Sequence, residues 1–73
     1  MRINIHEQKI LKDLDATPID HEFYRISQST AMELCSGSLP RYGYERNIIY
    51  DNVHWWIART RVEGREVWSI RVA

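Results

Sequence analysis

Apolar and polar positions alternate most regularly in the last third of the chain. Asn47–Tyr50, Val53–Val62 and Arg65–Val72 are rich in β-branched and aromatic residues and predict three strands. Asp51-Asn52 and Glu63-Gly64 separate them, and each fits a two-residue hairpin loop, although both are weaker turn signals than Asn-Gly. Two-residue loops fix the register. Arg61 then faces Glu66, Arg59 faces Trp68, Ile57 faces Ile70, Trp55 faces Val72, and Ile48 faces Trp55 from the other side. One face of this meander collects Ile48, Trp55, Ile57, Trp68, Ile70 and Val72 and is the expected core face. On it Arg59 lies over Trp68, and Arg61 pairs with Glu66 at the edge.

The second face carries His54, Trp56, Ala58, Thr60, Val62, Arg65, Val67, Ser69 and Arg71, with Trp56 opposite Arg71. An antiparallel sheet tolerates one wet face. A Trp beside Arg, His and two Val there predicts that this face meets a partner or a second copy. A one-residue slip would exchange the two faces.

The first half reads as helix and loop. Ile10, Leu11 and Leu14 form one stripe of a short helix over Glu7–Asp15, with Asn4 and Glu7 at capping-box spacing; a strand over Arg2–His6 is the competing reading. Ala16-Thr17-Pro18 ends that helix. Glu22–Ile26 predicts a short strand and Gln28–Ser36 a second helix. Ser27, Ser29 and Thr30 are candidate caps, Thr30 and Glu33 have capping-box spacing, and Gly37 is the left-handed stop. Ala31, Met32, Leu34 and Cys35 would face the sheet, and Ser36–Tyr44 is a loop. No repeat, low-complexity tract or linker divides residues 1–73. The expected fold is a single small α+β domain, with one or two short helices packed on a small antiparallel sheet that ends in a three-stranded meander.

Composition narrows the class. A chain of 73 residues buries only roughly 60% of the surface its unfolded form exposes, which gives a thin core. The apolar fraction of 44% still argues against disorder. One cysteine cannot make an internal disulfide, which fits a reducing compartment. Met1–Glu7 lacks the apolar stretch of a signal peptide, and no apolar run approaches the ~20 residues that span a bilayer. A cytoplasmic location away from membranes is expected. Net charge is zero, with a balance of −2 over residues 1–40 and +2 over residues 41–73. Strong general affinity for nucleic acid rests on neutralised phosphates, and zero net charge weighs against it.

Candidate chemistry is sparse. His6, His21 and His54 lack metal-ligand spacing, so neither a metal nor a cofactor is expected. Cys35 reads as a small buried hydrophobe, and the Ser and Thr residues cluster where caps are needed. Asp13, Asp15, Asp20 and Glu22 form an acidic cluster, either solvated or facing a basic partner. Arg41, Tyr42, Tyr44 and Arg46 interleave basic and aromatic groups, a composition shared by protein-interface hot spots and single-stranded nucleic-acid sites; plain loop packing is the third reading. With His54, Trp56 and Arg71 of the second face, they are the candidate partner-binding residues.

The order of strand Glu22–Ile26, helix Gln28–Ser36 and the three terminal strands resembles certain small phage anti-CRISPR proteins. Those proteins pack one helix on a curved antiparallel sheet and block a host complex by direct binding. The resemblance is architectural, covers about residues 22–72, and carries over no individual residue. It implies a non-enzymatic inhibitor, encoded by a phage or mobile element, that sterically blocks a larger host protein or nucleoprotein complex such as a CRISPR effector. A homodimer is the further partner expectation. A small nucleic-acid-binding regulator using the same Arg and aromatic surface is the alternative. The hairpin of Trp55–Arg61 with Glu66–Val72 is also similar to the closing strands of RelE-type toxins, which cleave messenger RNA. That likeness implies His54 and nearby Arg residues as acid–base and phosphate-binding groups. The chain is shorter than those toxins and shows no pair of long N-terminal helices.

Overall fold

A computed structural model describes residues 3–73. The elements in chain order are α1 (Ile5–Asp13), β1 (Thr17–Pro18), β2 (Tyr24–Ile26), α2 (Gln28–Leu34), β3 (Glu45–Tyr50), β4 (Val53–Val62) and β5 (Arg65–Val72). The five strands form one antiparallel sheet in the order β1-β2-β5-β4-β3. The fold is therefore α+β and ends in a three-stranded meander.

The register of the meander is set by its two turns. Asp51 and Asn52 both have positive φ, 53° and 63°, and so do Glu63 and Gly64, 51° and 80°. Positive φ at both central residues marks the type I′ hairpin, whose twist matches that of its strands. Tyr50 then faces Val53 and Val62 faces Arg65. The expected pairs Arg61–Glu66, Arg59–Trp68, Ile57–Ile70, Trp55–Val72 and Ile48–Trp55 follow from these closing pairs. In this register Ile48, Trp55, Ile57, Trp68 and Ile70 are buried on one face and Val72 packs at their margin.

Both helices lie on that face. Ile10 and Leu11 of α1, and Ala31 and Cys35 of α2 and its C-terminus, join the buried cluster together with Ile26 of β2. Trp55 is fully buried, and its indole N–H donates to the Tyr50 carbonyl at 3.3 Å, so the large ring enters the core without an orphaned donor. Burial also pushes the Cys35 thiol pKa up, which keeps it protonated.

Helix ends depart from the sequence reading in instructive ways. α1 starts at Ile5, two residues before the expected Glu7, because the Asn4–Glu7 capping box closes there: the Glu7 N–H donates to Asn4 Oδ1 at 2.8 Å, and the Asn4 N–H donates to Glu7 Oε1 at 3.0 Å. Ile5 and His6 are helical, which removes the strand alternative for that stretch; Arg2 lies outside the described residues. Ser27 caps α2 by accepting the Thr30 N–H at 3.1 Å, so the Thr30–Glu33 spacing is not used as a box. Both helices end in a Schellman arrangement built on a residue other than glycine. Asp15 ends α1 with φ 54°, and the Ala16 N–H donates to the Leu11 carbonyl. Ser36 ends α2 with φ 53°, and the Gly37 N–H donates to the Met32 carbonyl. Gly37 was the expected stop, but the left-handed turn begins one residue earlier.

Three further expectations are corrected. β2 is shorter than Glu22–Ile26 because Asp20–Phe23 is a tight turn, and β1, broken by Pro18, was not foreseen. Met32 is 37% exposed, as it lies on the flank of α2 turned from the sheet. Arg61 does not bond Glu66: Arg59 makes that contact at 3.8 Å from beside Trp68, and Arg61 lies instead over the Tyr42 ring at 5.9 Å.

Left-handed backbone costs a residue with a Cβ roughly 1–2 kcal/mol. Ser36→Gly is therefore expected to raise the free energy of unfolding by about 1 kcal/mol, read by urea denaturation. Trp55→Ala is expected to lower it by about 3–5 kcal/mol, the cost of a large cavity at the centre of a thin core.

Candidate functional site

The second face of the sheet is only partly open. Val67 is 6% exposed and Ser69 1%, although both point away from the helices. The segment between β1 and β2 turns back toward this face. Asp20 organises it: its Oδ1 accepts the Glu22 and Phe23 N–H groups, both at 2.8 Å. Those two bonds, that from Phe23 first, hold the Asp20 carboxyl below its ordinary pKa. Ile19 and Phe23 line a hollow of about 190 Å³ together with Thr60, Arg61 and Val62. Of the acidic cluster read in the sequence, Asp20 is thus a turn cap and Glu22 an ion-pair partner, while Asp13 and Asp15 are exposed at the end of α1.

Arg71 ties the face together. Its guanidinium lies 5.8 Å from the centroids of both the Trp56 and Phe23 rings. Nε and Nη2 donate to the two carboxylate oxygens of Glu45 at 3.2 and 3.3 Å, and Nη1 lies 3.8 Å from Glu22. Planar stacking and a two-point carboxylate contact are what a guanidinium can do and an ammonium cannot. Four segments meet at this one side chain: β3 through Glu45, β4 through Trp56, β5 through Arg71 itself and the turn before β2 through Phe23. Its cationic donors are directed inward to the chain's own carboxylates. Arg71 therefore presents the ring of Trp56 rather than offering a free charge to a ligand.

His54 stands one cross-strand step toward the Asp51-Asn52 turn. Its Nδ1 lies 3.3 Å from Asn47 Oδ1, while Asn47 Nδ2 donates to the Trp55 carbonyl at 3.2 Å. With the Asn47 amide donating in one direction, its oxygen accepts from Nδ1 and the Nε2 edge of His54 is left to solvent. Ile49, directly opposite His54, is 65% exposed.

The seven candidate residues separate into two patches. His54, Trp56 and Arg71 share the second face, with Ile49, Asn47 and Glu45 of β3 completing it. Arg41, Tyr42 and Tyr44 lie in the loop before β3. Arg46 pairs with the buried Ile57, has its side-chain register on the core side of the sheet, and donates from Nη1 to Ser38 Oγ at 3.3 Å. Tyr42 and Tyr44 are 51% and 68% exposed, and Arg61 underlies Tyr42. Ile49 was not among the sequence candidates. The signal for it was the Ile48-Ile49 pair, of which a strand can bury only one member on a given face.

Among the described residues no group of three or more His, Cys, Asp or Glu side chains is placed to hold a metal ion, and no helix is long and apolar enough to cross a membrane. Comparison with known proteins finds no matching family model, curated protein or solved structure.

Two outcomes follow. Arg71→Lys is expected to lower the free energy of unfolding by about 1–2 kcal/mol in a denaturant titration, a range kept small because the clamp is partly solvated. The Asp20 carboxyl has a folded pKa below its unfolded one, so its contribution is present above the unfolded value and is lost as pH falls through the folded one. Asp20→Asn retains an acceptor without the charge, and is expected to flatten the loss of thermal stability below about pH 4, followed by circular dichroism.

Proposed function

We propose that this chain is a non-catalytic protein-binding module that acts by covering a surface of a larger protein or nucleoprotein complex. The supporting observation is the loop before β3, where Tyr42 and Tyr44, next to Arg41 in the chain, are both exposed while Arg61 lies over the Tyr42 ring. Tyr and Arg in this arrangement give large contact area at low entropic cost, the signature of interface hot spots. The Trp56 patch is a second contact region, its ring pre-set by Arg71. Binding of this kind is steric and uses no bond chemistry, in keeping with the phage-inhibitor architecture that the sequence resembles.

Zero net charge and the pairing of Arg71 and Arg59 with carboxylates favour protein over nucleic acid as the partner. Affinity purification from the native host, followed by titration of the co-purifying protein, tests the reading. Tyr42→Ala and Trp56→Ala, each shown to be folded, are expected to weaken that complex by about 2 kcal/mol or more. Unchanged affinity in both variants overturns the assignment of the surface. Retention of RNA or DNA by the purified chain at low salt, lost at high salt, overturns the choice of a protein partner.

A further inference from the structure

The two edges of the sheet are built differently. β1 is two residues long and contains Pro18, so it offers almost no template for another strand. β3 is six residues long, has no Pro and no Lys, and among the described residues has no strand beyond it. Natural edge strands are usually shortened, bulged, charged or covered; β3 carries charge only in its first two residues, Glu45 and Arg46, whose side chains bond Arg71 and Ser38, and Asn47–Tyr50 has none. Its apolar neighbourhood is exposed as well: Tyr44 68%, Ile49 65% and Tyr50 39%.

The hydrogen-bonding phase of that edge follows from the turn. Tyr50 and Val53 close a two-residue type I′ hairpin and bond each other, so Ile48 and Arg46 also bond β4. Glu45, Asn47 and Ile49 then aim their N–H and C=O groups outward. The Ala73 N–H donating to the His54 carbonyl at 3.0 Å agrees with this phase, because His54, opposite Ile49, turns its own backbone away from β3.

We propose that a second copy of this chain covers the edge, with β3 pairing antiparallel to β3 about a two-fold axis through Asn47. Three features of β3 select this occupant. An axis normal to the sheet pairs only residues of like parity, which is also what the outward backbone groups of Glu45, Asn47 and Ile49 require. Centring on Asn47 brings all three outward residues of each copy into bonding positions, whereas a shift by one pair in either direction reaches into the Asp51 turn or the Gly43 loop. In that register Glu45 faces Ile49 of the other copy, Arg46 faces Ile48, and Tyr44 faces Tyr50. No like charges are opposed, the three exposed apolar side chains are covered, and a net charge of zero leaves no long-range repulsion between copies.

The inference concerns the edge of β3 and does not depend on a binding partner, so it is tested on the purified chain alone. Sedimentation equilibrium over a series from micromolar to millimolar protein is expected to show the mass rising from 8.7 kDa to twice that value. Ile49→Glu sets a carboxylate opposite Glu45 of the other copy, and Ile49→Pro removes an outward-facing N–H; both are expected to stay monomeric across the series with an unchanged circular dichroism spectrum. Met32→Lys, on the exposed flank of α2, is expected to dimerise like the wild type. A wild-type chain that remains at 8.7 kDa at millimolar concentration overturns the proposal, as does a folded Ile49→Glu variant that dimerises as well as the wild type. A dimer that captures no partner removes only the binding reading, and a monomer that captures one removes only this inference.

Discussion

The parity of the two hairpins is the constraint on which everything else depends. Each turn holds two residues at positive φ, and three of the four, Asp51, Asn52 and Glu63, carry a Cβ. Such a conformation costs roughly 1–2 kcal/mol per residue, less for Asp and Asn, whose side chains can bond locally. A one-residue change in the Glu63-Gly64 loop would relieve that strain but turn one strand over against the other, sending either Trp55 and Ile57 or Trp68 and Ile70 from the core to the solvent. Burying each of these side chains is worth roughly 1.5–3 kcal/mol, so burial outweighs turn strain and the register holds. The helices have no face to cover until this choice is made, because Ile10, Leu11, Ala31 and Cys35 all pack on the side that the register defines.

Much of this was legible in the sequence because its information is local. Alternation along Val53–Val62 and Arg65–Val72, with two residues between them, suffices to pair Ile57 with Ile70 and Arg59 with Trp68. The Asn4–Glu7 box was equally readable, although periodicity alone misplaced the start of its helix. What sequence could not supply is the closure of the second face. Val67 and Ser69 are buried there in the region where the segment after Pro18 turns back, and that return depends on an Asp20 cap, a Phe23–Arg71 stack and a Glu22–Arg71 contact across the molecule. None of these has a periodicity. For the same reason Arg71 reads in sequence as a free cation beside Trp56, and in the fold as a compensated one.

That compensation changes what kind of surface the second face is. A guanidinium held by two carboxylates and two rings resists displacement, since any ligand anion must replace contacts already made at about 3.2 Å. Trp56 is the beneficiary: Arg71 holds its ring in place, so little entropy would be lost were a partner to cover it. Tyr42 is prepared in the same way by Arg61, at the far end of β4. In both places arginine acts as scaffold for an aromatic ring, which accounts for an Arg-rich second half that is not strongly basic in effect.

The same carboxylate links these patches to the open edge. Glu45 grips Arg71 through its side chain and aims its backbone groups outward from β3, so the residue that anchors the brace of Trp56 also lies on the open edge. A two-fold axis normal to the sheet keeps both sets of helices on one side and both second faces on the other. His54 lies opposite Ile49, close to that axis, and Trp56 lies opposite Asn47, through which the axis runs. Pairing of β3 would therefore bring two copies of the His54–Trp56 patch into one continuous surface, and a thin 73-residue domain would present a platform twice its own width. A partner meeting that platform with two contacts gains effective concentration for the second once the first is made, which lets modest individual patches act together. The neutrality of the chain, uninformative as a count, is what would let two copies approach closely enough to build it.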